Sequence, residues 1–194
     1  MQGIRYTEIM GENVKDKLKY CGNNVRILNL AKIINPQYAE IDDNTIILDF
    51  VFIDAKQSFK IGKYSCITWH CVIEGEAHVE IGDRCFLGPG CKILSSTYEF
   101  QGYYTSQHLP GDASAIKYGD IKICDDAYLG ANCVVMPGVT IGEGALVGAN
   151  SLVNRNLKPW GIYFGNPVKL IGMREKPTEE RRQIVEAMDW TKHF

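Results

Sequence analysis

Aliphatic side chains return every six residues along most of this chain: Ile41, Ile47 and Ile53, then Ile61, Ile67 and Ile73, then Ile81, Leu87 and Ile93. The triplets recur every 20 residues, and after an interruption the series resumes as Ile123, Leu129, Val135, Ile141, Val147 and Val153, with a period of 18. Self-similarity at a fixed period marks a repeat architecture. Six residues are too few for a helical hairpin or a propeller blade. Glycine often follows the aliphatic position, as at Gly62, Gly82, Gly88, Gly130, Gly142 and Gly148, and at that frequency it would weaken an α-helix by about 1 kcal/mol each time. The pattern therefore predicts short strands joined by tight corners, three to a circuit, with stacked circuits building three flat parallel sheets.

The repeated unit reads aliphatic-Gly-x-x-small-x. The small position holds Ser65, Cys71, Cys85, Cys91, Ala127, Cys133, Ala145 and Ser151, which makes four of the cysteines packing residues of cramped corners. The glycines are expected where the turn needs a backbone conformation closed to other residues. Coils stack at about 4.8 Å and leave unpaired backbone at both ends, so both ends need covers. Residues 1–24, with a short helical stretch from Glu12 to Tyr20, form the expected N-terminal cap. The repeat domain is assigned to 25–175. In 176–194, Thr178 as a capping residue, Glu179 and Glu180, and the apolar Ile184, Val185 and Met188 predict a C-terminal helix near 178–189.

Residues 95–120 break the repeat and are rich in Tyr, Ser, Gly and Gln. A loop this long in a compact solenoid is functional or disordered. Its aromatics Tyr98, Phe100, Tyr103 and Tyr104 favour an ordered loop facing a ligand.

With 194 residues, 23% charged and 45% hydrophobic, the chain is an ordinary globular protein of one domain. A formal charge of −2 gives no reason to expect nucleic acid or an anionic membrane as partner. No apolar run reaches the roughly 20 residues of a spanning helix, and the start lacks the apolar stretch of a secretory signal, so the cytoplasm is the expected compartment. The seven cysteines contain no C-x-x-C pair and are expected to be reduced; the four histidines are scattered, and no metal is expected.

At Leu129-Gly-Ala-Asn-Cys-Val-Val-Met-Pro-Gly-Val-Thr-Ile-Gly-Glu-Gly-Ala-Leu-Val-Gly-Ala-Asn-Ser-Leu-Val, followed by Gly165-Asn-Pro-Val-Lys169, the chain resembles the hexapeptide-repeat acetyltransferases. It is most similar to the branch of galactoside, maltose and nodulation-factor O-acetyltransferases. The resemblance implies an all-β fold, a left-handed parallel β-helix with a projecting loop and a short C-terminal α-helix. It also implies a homotrimer with active sites between subunits and acetyl-CoA as acyl donor along the later coils. Carried over by position, Gly130, Ala131, Gly148 and Ala149 lie along the pantetheine arm, Asn154 and Arg155 follow it, and Lys169 and Arg174 meet the nucleotide phosphates.

Acetyl transfer to a hydroxyl needs a base, and a histidine with its pKa near 6.5 suits the task. The galactoside-type enzymes carry a His in the slot that here is Tyr98, and a tyrosine, with a pKa near 10 in water, is a poor base at neutral pH. His108 on the same loop and His70, where the galactoside enzymes hold an acceptor-binding Asn, are the substitutes, with Glu99 to orient either imidazole. Tyr98, Tyr103 and Trp69 are expected acceptor contacts. His78, read as part of a corner extension, and His193 in the tail are set aside. No G-x-S-x-G elbow or Walker loop is present, which favours direct transfer in a ternary complex. The leading expectation is O-acetylation of a sugar, in surface polysaccharide synthesis. N-acetylation of a nucleotide-linked amino sugar, or an inactive trimeric binding scaffold, are the alternatives.

Overall fold

A computed structural model of the chain describes residues 9–106, 108–110 and 113–189. Each circuit lays one short strand on each of three faces. The first face stacks Tyr20–Cys21, Ala39–Ile41, Ser58–Ile61, His78–Ile81, Ile121–Ile123 and Thr140–Ile141; the second runs from Arg26–Ile27 to Gly161–Phe164, and the third from Lys32–Ile34 to Leu152–Val153. Neighbouring coils pair in parallel and in register, as in Ile61 with Ile81 and Leu129 with Val147. The stack begins at Tyr20, inside the stretch expected to be cap.

Parallel stacking explains the six-residue period. The aliphatic residue of each six-residue unit points inward, and Ile27, Ile33, Ile41, Ile47, Ile53, Ile61, Ile67, Ile73, Leu87 and Ile93 are all fully buried in one continuous core. The small position has a second duty that its size alone does not reveal. Thr45 donates to the Gly62 carbonyl at 2.9 Å, Ser65 to Gly82 at 2.8 Å, Cys71 to Gly88 at 3.2 Å, Cys91 to Gly130 at 3.1 Å and Cys133 to Gly148 at 3.2 Å. Each is a short donor reaching the carbonyl of the repeat glycine one coil on, so a buried acceptor is satisfied at each step.

The repeat glycines themselves correct the sequence expectation. The left-handed corner positions belong to other residues, among them Asn24, Asn44, Tyr64, Arg84 and Asp126 at one corner, with φ between 54° and 60°. Gly130, by contrast, is needed for room: a Cβ there would stand 2.6 Å from Ala149 N and 2.9 Å from Ala149 Cα. Glycine marks the point where one coil lies tightest on the next.

Among the described residues no coil precedes the one that begins at Tyr20–Cys21, and its edge is covered by the 3₁₀ helix Gly11–Lys17. Val14 is fully buried in the core, Glu12 accepts the Ile27 N–H at 3.0 Å, Lys15 donates to the Val25 carbonyl, and Gly11 N–H bonds Ala31 O at 3.0 Å. These groups replace the missing coil. At the far end the second face closes with Lys169–Met173, antiparallel to Gly161–Phe164. The C-terminal helix is confirmed at Glu179–Glu186, with Thr178 accepting from Arg181 N, but it buries none of its residues and is not the cover expected of it. Among the described residues no helix is long and apolar enough to cross a membrane.

Candidate active site

The projecting segment leaves the stack after Leu94 and returns at Ile121, a step of 42 residues between paired positions Glu80 and Lys122. Its feet are closed: Gly119 N–H bonds Ser95 O at 2.9 Å, and Ser96–Tyr98 pairs antiparallel with Ile116–Tyr118. Buried Ser95 fixes the exit, donating to Glu74 O at 2.5 Å and accepting the Ala77 N–H at 2.9 Å.

This ribbon roofs a cleft of about 390 Å³ over the third face, floored by Phe52, Asp54, Glu74 and Glu76 and covered by Tyr98 and Ile116. Asp54 and Glu74 are partners in adjacent coils. Their carboxylates therefore share one end of the face. Burial, then the charges of Glu76 and Asp54, push the Glu74 carboxyl above the usual carboxylate range. Glu76 is held by Lys56 at 2.7 Å. A proton acceptor of raised affinity thus stands in an acidic hollow under a loop, the arrangement general-base chemistry calls for.

A second hollow, of about 410 Å³, lies on the other side of the ribbon and contains Lys56, Glu76, His78, Tyr118 and Asp120. His78 is no corner extension. It opens the strand His78–Ile81, its Nδ1 lies 2.8 Å from Ser58 Oγ, and its backbone N–H bonds Asp120 Oδ1 at 3.1 Å. Glu76 lines both hollows.

The sequence-predicted site residues divide. Tyr98 lines the first cleft. His108 is exposed on the outer loop, its backbone N–H bonded to Ser106 Oγ at 3.3 Å, and lines neither hollow. His70 stands at the corner between second and third faces, stacked on Phe50, with exposed Trp69 beside it. Among the described residues Glu99 is bonded to no imidazole; its carboxylate accepts the N–H groups of Phe100 and Gln101 at 3.0 and 3.2 Å and so caps a turn. Tyr103 is exposed away from the cleft. His193 lies outside the described residues.

Of the cofactor positions, Gly130 and Gly148 are buried by coil packing, Ala131 is half-buried and Ala149 exposed on the adjoining coil. The Phe164 ring covers Gly148. Asn154 and Lys169 are exposed; Arg155, also at the surface, donates to Val168 O at 2.6 Å. Arg174 is engaged in bracing the C-terminal segment: it donates to Asp126 O at 3.1 Å and Gly144 O at 3.3 Å and lies 5.7 Å from the Trp160 ring centre. Among the described residues no group of three or more His, Cys, Asp or Glu is placed to hold a metal.

Asp54, Glu74 and His78 escape a reading that runs forward from Ile93 into the loop. Counting back one and two periods from Leu94 reaches Glu74 and Asp54. The signal is the period itself.

Comparison with known proteins places this geometry. Residues 120–155 match the family model described as bacterial transferase hexapeptide (six repeats). The chloramphenicol acetyltransferase of Klebsiella aerogenes is 31% identical over 122 residues, 57% of this chain and 57% of that enzyme, so the match spans little more than half the relative's length. The dTDP-4-amino-4,6-dideoxy-D-glucose acyltransferase of Escherichia coli is 29% identical over 168 residues, 86% of this chain and 88% of the enzyme. Among solved structures, AntD, an N-acyltransferase from Bacillus cereus in complex with dTDP and 3-hydroxybutyryl-CoA, superposes with a TM-score of 0.80 at 30% identity, covering 90% of each chain. Repeat, coil stack and these likenesses agree that the chain belongs to the hexapeptide-repeat transferase family.

Proposed function

We propose that the protein transfers an acyl group from a coenzyme A thioester to the amino group of a nucleotide-linked amino sugar. The observation that carries this reading is the carboxylate cleft under the loop. An aliphatic amine is largely an ammonium at neutral pH, and Asp54, Glu74 and Glu76 form a hollow that attracts such a cation. Glu74 takes one proton from the ammonium and sheds it to solvent, the freed nitrogen attacks the thioester carbonyl, the C–S bond breaks as the C–N bond forms, and the second proton the nitrogen loses passes to the departing sulfur. The pantetheine path runs along Ala131 and Ala149, with Asn154, Arg155 and Lys169 towards the nucleotide end. The likeness to the E. coli sugar-nucleotide enzyme and to AntD supports the acceptor class.

The outward residues of the three faces support a trimer. The first face shows Glu40, Lys60, Glu80 and Lys122, an alternating charge ladder suited to water. The second shows Arg26 and then Ile46, Cys66, Phe86, Tyr128 and Leu146, and the third Lys32, Phe52, Val72, Lys92, Val134 and Leu152. Two faces that are apolar but for one arginine and two lysines fit contact with neighbouring copies.

A hydroxyl acceptor is the second reading, favoured by one observation: His78 beside Ser58 in the adjoining hollow is an imidazole base of the kind an alcohol needs. Thiol release should be followed with acetyl-CoA and 3-hydroxybutyryl-CoA against dTDP-4-amino-4,6-dideoxyglucose, its 4-hydroxy counterpart, maltose and chloramphenicol. The amino-sugar nucleotide should give a hydroxylamine-stable amide. Release with hydroxyl acceptors alone, or with none, would overturn the proposal.

A further inference from the structure

One corner column, between the second and third faces, carries a stacked pair of rings at the surface. Its left-handed positions are Phe50, His70, Gly90, Asn132 and Asn150, with φ of 63°, 61°, 75°, 58° and 58°. Asn and Gly suit that conformation, whereas a bulky ring is disfavoured in it. Yet Phe50 is 52% exposed, and its ring lies parallel to His70 at 4.9 Å and 4°. Tyr64 and Trp160 bear the same backbone cost elsewhere in the fold, but Tyr64 is half-buried and Trp160 buried; at Phe50 the cost coincides with exposed apolar surface, which suits contact with something else.

The next step of the column is Gly90, so no side chain continues the stack above His70. The Asn132 amide leans into the place a Gly90 Cβ would fill, and the Lys92 ammonium sits on the Gly90 carbonyl at 2.9 Å. The space thus has an aromatic floor, an amide at its far side and a cation beside it. From this corner the third face runs to the carboxylates: Phe50 to Asp54 and His70 to Glu74 are four residues of extended chain, about 13 Å at 3.3 Å per residue. Ribose and two phosphates bridge a distance of that order.

We propose that this corner is a nucleobase slot. The base stacks on His70 above Gly90 with its polar edge on the Asn132 amide, Lys92 meets the diphosphate, and the sugar's amino group reaches Glu74. The inference rests on the nucleotide-linked acceptor proposed above. The coenzyme A adenine is the other source of a nucleobase, and the test separates the two.

Full-length protein should be titrated calorimetrically with thymidine diphosphate, uridine diphosphate, inorganic pyrophosphate and coenzyme A. The variants are Phe50→Asn, His70→Asn and Lys92→Met; Asn is the residue this column itself uses at 132 and 150, so the corner keeps a compatible side chain. His70→Asn should weaken nucleoside diphosphate binding about 5- to 100-fold, the range expected for one lost stacking contact, and leave pyrophosphate and coenzyme A unchanged. Lys92→Met should weaken pyrophosphate and both nucleotides alike. Wild-type affinity in His70→Asn, loss of coenzyme A binding instead, or a smaller assembly on gel filtration would overturn the slot. Acylation of a nucleotide-linked amino sugar by the wild type, assayed separately, fails only if the proposed function is itself wrong.

Discussion

Replacing Gly130 by Ala tests the reason for the repeat glycines. The added Cβ would stand 2.6 Å from Ala149 N, 2.9 Å from Ala149 Cα and 3.0 Å from Gly148 C, all backbone atoms of the next coil. Restoring ordinary contact means opening that junction by about 0.8 Å, taking ~3.4 Å as the closest comfortable carbon approach. Gly130 N–H bonds Val147 O at 2.7 Å across the same junction, and this bond is stretched out of range. Overpacking costs about 1–3 kcal/mol and the lost hydrogen bond about 1 kcal/mol. The smaller unfolded-state freedom of Ala returns about 0.4–1 kcal/mol. A net loss of about 2 kcal/mol lowers the melting temperature of a chain this size by roughly 4–8 °C. Thermal unfolding by circular dichroism reads it directly, with Gly172→Ala as the control, since nothing stands within 4 Å of a Cβ there. Equal melting temperatures for the wild type and Gly130→Ala would refute the steric account.

Three further outcomes follow from the same structure. Glu74→Gln should lower acyl transfer about 10²- to 10⁴-fold; because the carboxyl's folded pKa is raised, its charged form weakens the fold as pH climbs through that value, so the variant should melt higher than wild type at pH 8 and alike at pH 4, and a variant that melts lower at pH 8 contradicts the assignment. Glu12→Ala should release the Ile27 N–H, raising its hydrogen exchange selectively over that of Ile47; unchanged exchange removes Glu12 as the edge cover. Cys85 is buried, which pushes its thiol up to about 12, so iodoacetamide at pH 8 should leave it unlabelled in the native protein and label it in denaturant, and rapid native labelling speaks against that burial.

Much of the fold is legible because parallel stacking writes itself into the chain as a period. The six-residue return of Ile, Leu and Val predicts the coil, the change from 20 to 18 falls where the registers place it, and Thr178 marks the final helix. What a linear pattern lacks is the neighbour one coil away. Gly130 reads as flexibility until Ala149 is seen pressed against it, and Cys91 reads as filler until its thiol is seen donating to Gly130 O. The site is less legible for the same reason. Glu74 and Asp54 are distant from the loop in sequence and beneath it in space, whereas His108 is near in sequence and outside the cleft. Motif counting follows the chain; the cleft is assembled across it.

The closed feet of the projecting segment have an evolutionary consequence. Because Ser95 and Gly119 meet through one hydrogen bond and the strands on either side keep their register, the stack is indifferent to what is spliced between them, and lengthening such an insert adds little closure entropy. The scaffold behaves as a socket: projecting segments can be exchanged at this point while the coils on either side stay as they are.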